Sequence, residues 1–141
     1  MADPSIFDAH LHFFSRQVFA FYARQAPDLK GMADPTALAI ARLGVESPPE
    51  PAALAKRWVA ELDRYQVEHA VLFGSAPGEQ ELVACTVRAH SDRFVGFQMS
   101  NPRAPNAQAV LEDIISKGLR GGSLRFGTTQ PRTPEAVKEF G

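Results

Sequence analysis

Short β-rich apolar runs alternate along this chain with amphipathic helical segments, and that alternation leaves few folds open. Ser5 to Phe14 is almost continuously apolar apart from Asp8, His10 and His12, which suits a strand buried on both faces. The runs H-A-V-L-F-G-S (69–75) and R-F-V-G-F-Q-M (93–99) read as a second and third strand, each followed by a turn signal, Pro77-Gly78 and Asn101-Pro102. Leu119 to Phe126 reads as a fourth. Between them, Leu54, Trp58 and Leu62 recur at four-residue spacing behind Pro51. A helix from about Glu79 to His90 carries Leu82, Val83, Thr86 and Val87, and Asn106 to Lys117 carries Val110, Leu111, Ile114 and Ile115, with Gly118 as its stop. Thr133-Pro134-Glu135 starts a further helix. Residues 15–50 are less regular: an aromatic segment around Phe19, Phe21 and Tyr22 precedes a short helix that Asp34-Pro35 opens and Gly44 closes. This stretch reads as a long insertion.

Strands and helices in this order predict right-handed parallel β/α units, which build either an open doubly wound sheet or a closed eight-stranded barrel. The open sheet usually carries a glycine-rich phosphate loop after its first strand, whereas here no glycine occurs before Gly31. A barrel takes about 250 residues, so four strands and the start of a fourth helix amount to about half of one. The expected fold is therefore α/β, with residues 1–141 forming a single domain that is the N-terminal part, about four strands, of a TIM-type (β/α)8 barrel. Four parallel strands without closure leave two unpaired edges, which predicts either aggregation or a homo-oligomer in which two copies associate edge to edge.

Composition narrows the partners. Fifteen Lys and Arg against sixteen Asp and Glu give a net charge of −1, so there is no basic excess to neutralise phosphates and nucleic acid is not an expected partner. No apolar run approaches the roughly 20 residues that cross a bilayer. The start M-A-D-P-S-I-F-D-A-H lacks the features of a signal peptide, and the single Cys85 cannot form an intramolecular disulfide, which makes the cytoplasm the expected compartment.

Side chains alternate along a strand, so Asp8, His10 and His12 are expected on one face and Phe7, Ala9, Leu11 and Phe13 on the other. In a barrel, the polar face near a strand's C-terminal end points into the mouth, where active sites sit. Two imidazoles two residues apart can turn ring nitrogens toward one divalent ion at about 2.0–2.1 Å. An H-x-H in a chain with four histidines is a weak signal; its place at the end of the first strand is what marks a ligand pair. Arg125 shares its parity with Ser123 at the end of the fourth strand, where an inward guanidinium would hold a substrate carboxylate and an outward one would be a solvated loop residue. Ser75, Gln98, Ser100 and Asn101 end the second and third strands, where turn roles compete with lining the same pocket. His69 and His90 are read as structural, and Cys85 as a small buried helix residue.

F-D-A-H-L-H at residues 7–12 resembles the opening strand of the amidohydrolase superfamily, in particular its amidohydrolase-related branch of hydrolases, lactonases and decarboxylases. The similarity continues less specifically through V-E-H-A-V-L-F (67–73), D-R-F-V-G-F (92–97) and G-L-R-G-G (118–122), and so covers nearly the whole chain. The resemblance implies a metal-dependent hydrolase of an ester, lactone or amide, with a small-molecule substrate that can bear a carboxylate. His10 and His12 would be ligands of zinc, or of manganese, joined by histidines and an aspartate from strands beyond the fourth. The general base would be a carboxylate on those later strands, so no catalytic residue is assigned within these 141 residues and turnover by them alone is not expected. One lactonase branch of the same superfamily works without metal and uses the equivalent residues to hold substrate and water. A non-catalytic α/β binding module with vestigial histidines is the alternative of a different class.

Overall fold

The computed structural model describes residues 5–124. The order is β1 (Ile6–His12), α1 (Arg16–Gln25), a short 3-10 turn (Pro27–Leu29), α2 (Pro35–Leu43), α3 (Pro51–Arg64), β2 (Val67–Gly74), α4 (Glu79–Ala89), β3 (Phe94–Ser100), α5 (Ala107–Ser116) and β4 (Gly122–Leu124). The strands form one parallel sheet in the order β1-β2-β3-β4. Each strand therefore lies beside its predecessor, the α/β class is as expected, and among the described strands the order does not reverse as it does in a doubly wound sheet.

Period-two alternation divides the sheet into two unlike faces. Leu11, Ala70, Leu72 and Phe94 point to one side, where they meet Leu54, Ala55 and Leu62 of α3, Val83 and Ala84 of α4, and Ile114 of α5 in a single buried cluster. All three helices cover this one face. Val71, Phe73, Val95, Phe97 and Met99 alternate with the core residues and, with His10 and His12, form the opposite face; none of them belongs to the cluster.

Local chemistry explains the element boundaries. Asp34 accepts the Ala37 N–H at 2.9 Å, Pro35 takes the first helical position and Gly44 closes α2 at φ 65°, as its sequence predicts. The N-terminal part of residues 15–50 is more ordered than expected, because Arg16–Gln25 is helical. Its β-favouring aromatics hide the helical signal, while buried Val18 and Ala23 anchor it. β2 begins two residues before its expected start. Within the described residues β4 is Gly122–Leu124, and Leu119 lies buried ahead of it rather than in it. The expected strand residues 125 and 126 and the helix start at Thr133 lie outside the described residues.

Gly96 sets the distance between sheet and helices. A Cβ there would stand 2.4 Å from Leu119 Cδ2 and 2.9 Å from Val87 Cγ2, so α4 and the chain after α5 close on β3 only where no side chain intervenes. Gly96→Ala is expected to lower the unfolding free energy by about 1–3 kcal/mol through overpacking; urea denaturation of variant and parent at equal concentration measures it.

Candidate functional site

The histidine pair is placed by a bulge in β1. Asp8 pairs with Ala70 and Leu11 with Leu72, so three steps along β1 match two along β2. In consequence Phe7, not Asp8, shares a face with the histidines: Phe7 is in register with His69 and its ring lies 5.7 Å from the imidazole. The expected common face of Asp8, His10 and His12 is corrected accordingly. The Asp8 carboxylate turns back and accepts the His10 backbone N–H at 2.9 Å, which the bulge has taken out of the ladder.

At the C-terminal end of β1 the two imidazoles converge, with Nε2 of His10 2.9 Å from Nε2 of His12 and the rings edge to face. Two metal–nitrogen bonds of about 2.05 Å at a tetrahedral angle would set such nitrogens about 3.3 Å apart. At 2.9 Å the two nitrogens share a hydrogen bond whose donor depends on the tautomer, and a metal between them would need them to part by about 0.4 Å; their donor type suits a divalent transition metal. Among the described residues no third His, Cys, Asp or Glu completes a group with them. Burial, and after it the proximity of His10, holds the His12 imidazole below its ordinary pKa, which favours the neutral form a ligand needs.

Aromatic rings frame the pair on both sides. His10 stacks on Phe73 with centroids 4.4 Å apart, His12 stacks on Phe14 at 5.3 Å, and Phe73 continues to Phe97 at 5.6 Å. Two residues past β1, Phe14 lies in the left-handed region at φ 48°, a conformation that costs an L-residue about 1–2 kcal/mol. Phe14 also lines a cavity of about 290 Å³, mostly apolar through Phe13, Phe19, Leu54 and Trp58, with Glu46, Arg57 and Glu61 among its lining residues. Trp58 Nε1–H donates to the Phe13 carbonyl at 3.4 Å, tying α3 to the residue after His12.

Behind the pair lies a polar cluster in which Ser75, a strand-end residue expected to line the pocket or to serve a turn, meets Glu79, which no local pattern marks. Glu79, in the first turn of α4, is fully buried. One carboxylate oxygen accepts the Ser75 N–H at 2.7 Å and the Ala76 N–H at 3.2 Å; the other accepts the Ser15 N–H at 3.3 Å and the Ser15 hydroxyl. Ser75 Oγ in turn lies 2.7 Å from Nδ1 of His12. Of the strand-end residues, Gln98 is neither in a turn nor at a mouth: it is buried on the helix side, where its Nε2 donates to the Ala76 carbonyl at 3.0 Å.

Among the described residues, His69, His90 and Cys85 form no metal-binding group with the pair. Arg125 lies outside the described residues. His90 caps the C-terminus of α4, and His69 is the third residue of β2. Cys85 is exposed rather than buried, and its Sγ accepts from Arg88 Nη2 at 3.0 Å. Arg88 lies one turn further along the same helix, at the i,i+3 spacing that brings side chains together. No helix among the described residues is long and apolar enough to cross a membrane. Comparison of the chain with family models, curated proteins and solved structures finds no match.

The Glu79 cluster generates a stability prediction. Gln is isosteric with Glu but turns an amide N–H₂ toward groups that all need an acceptor, apart from the adaptable Ser15 hydroxyl. Glu79→Gln is expected to lose about 1–3 kcal/mol of stability, read from chemical denaturation followed by circular dichroism.

Proposed function

We propose that this chain is the opening part of a (β/α)8 barrel hydrolase of the amidohydrolase type, acting on an ester, lactone or amide with a divalent metal, zinc or manganese, held in part by His10 and His12. The observation that carries the reading is the convergence of the two Nε2 atoms at 2.9 Å on the face opposite α3, α4 and α5, at the C-terminal end of the first strand. In parallel β/α proteins that end of the sheet is where catalytic groups gather. The sequential parallel order with α3, α4 and α5 on one face supports the barrel, whose interior would be the face that carries the histidines.

When bound at such a site, a divalent metal supplies a water acidified toward neutral pH and a polarised carbonyl. The residues described here would do the holding. His10 and His12 present their Nε2 atoms, Phe73 and Phe14 fix the planes of the two rings by stacking, and buried surroundings keep His12 neutral. The cavity that shares Phe14 with the pair would take an apolar portion of the substrate, with Glu46, Arg57 and Glu61 also among its lining residues.

The test is metal content. The double variant His10→Ala/His12→Ala, in the protein that carries this segment, is expected to lose most of the zinc or manganese that the parent retains after dialysis, measured by elemental analysis. Equal metal in the two proteins would overturn the ligand assignment.

A further inference from the structure

His12 is engaged at both ring nitrogens, and the two engagements differ in kind. Nε2 faces His10, whereas Nδ1 lies 2.7 Å from Ser75 Oγ on the neighbouring strand end. A neutral imidazole carries one ring proton, and the partner of one nitrogen decides the state of the other. Whatever accepts a proton from Nδ1 thereby frees the Nε2 lone pair.

Ser75 is built to stay where it is. It is buried, and the backbone around it is held from two sides. The N–H groups of Ser75 and Ala76 both donate to one oxygen of Glu79, at 2.7 and 3.2 Å, while the Ala76 carbonyl accepts from Gln98 Nε2 at 3.0 Å. Gly74 leaves room for that glutamine, since a Cβ there would stand 2.0 Å from Gln98 Oε1. A serine within reach of a histidine also invites a nucleophilic reading. The surroundings oppose it: the Ser75 and Ala76 N–H groups that could stabilise an oxyanion are both taken by the Glu79 carboxylate, whose charge would repel one.

We propose that Ser75 is a positioning residue for the histidine pair: its hydroxyl accepts the Nδ1–H of His12 and so directs the Nε2 lone pair into the site, with Glu79 and Gln98 holding the serine. Such an outer partner orients a ligating histidine and fixes its tautomer. The consequence for metal affinity rests on the reading of the pair as ligands; the consequence for the tautomer does not.

The experiment therefore uses two readouts on the full protein. The first is the His12 tautomer in metal-free protein, from long-range ¹H–¹⁵N correlation at a pH above imidazole titration, with signals assigned through His12→Gln. The parent should show the Nδ1–H form, and Ser75→Ala should shift the population toward Nε2–H. The second is zinc affinity by competition with a chromophoric chelator, expected to fall about 10–100-fold in Ser75→Ala with a melting temperature close to the parent's. Ser75→Cys keeps the shape but offers a weaker acceptor, and should shift both readouts in the same direction if the alanine variant fails to fold. An Nε2–H tautomer in the parent, or variants that melt lower with tautomer unchanged, would overturn the proposal and leave Ser75 a purely structural residue. If the parent itself binds no zinc, the ligand reading fails and the tautomer alone decides the role of Ser75.

Discussion

A single carboxylate without solvent exposure joins the ends of the first two strands. Glu79 belongs to the segment after β2, yet it is bound by Ser15, from the turn after β1, as firmly as by its own neighbours Ser75 and Ala76. Burying a carboxylate is costly unless hydrogen bonds replace its water. Here backbone N–H groups from both turns, a hydroxyl and the N-terminal end of the α4 dipole all supply what the charge requires. Ladder hydrogen bonds fix a strand only as far as its last pair. Beyond Gly74 and His12 this cluster holds the chain, together with the Phe13–Phe73 backbone hydrogen bond and the hydrogen bonds from Trp58 to Phe13 and from Gln98 to Ala76.

The sheet's two faces then divide the work of the molecule. The helix side is apolar and close-packed, to the point that β3 needs Gly96 for Leu119 and Val87 to fit. The other side is aromatic, and its rings partly bury one another: Phe73 is only 8% exposed although it lies outside the core cluster. A histidine set among such rings is desolvated without being removed from the surface, which is why the His12 imidazole sits below its ordinary pKa while remaining within reach of a ligand.

The class and order of the elements were legible in the sequence because they rest on periodicity. Leu54, Trp58 and Leu62 mark α3 by spacing alone, and Asp34-Pro35 with Gly44 bounds α2 by capping chemistry. The nearness of His10 to His12 was legible too, since alternation puts residues i and i+2 on one face. α1 was missed because its aromatics favour strands locally and tertiary contacts of Val18 and Ala23 decide the matter. Cys85 was misplaced because its exposure depends on which face of α4 meets the sheet. Glu79 and Ser75 were unreadable as partners of Ser15 and His12, for each contact spans more than sixty residues of sequence.

The bulge in β1 shows why local pattern alone could not have specified the site. A one-residue slip in register exchanges the two faces of a strand. With unbroken alternation from Ile6 onward, Asp8 would have stood beside the two histidine nitrogens as a third donor, an oxygen. Instead the extra residue at Ala9–His10 lets Phe7 take that face, and the Asp8 carboxylate compensates the backbone N–H that the bulge exposes. Asp8 is thus spent on the backbone and leaves the pair with nitrogen donors alone among the described residues. The same slip sets His12 opposite Phe73, two residues before Ser75, and so brings Nδ1 to the hydroxyl. An irregularity of one residue therefore selects both the donors that face the site and the partner that orients them.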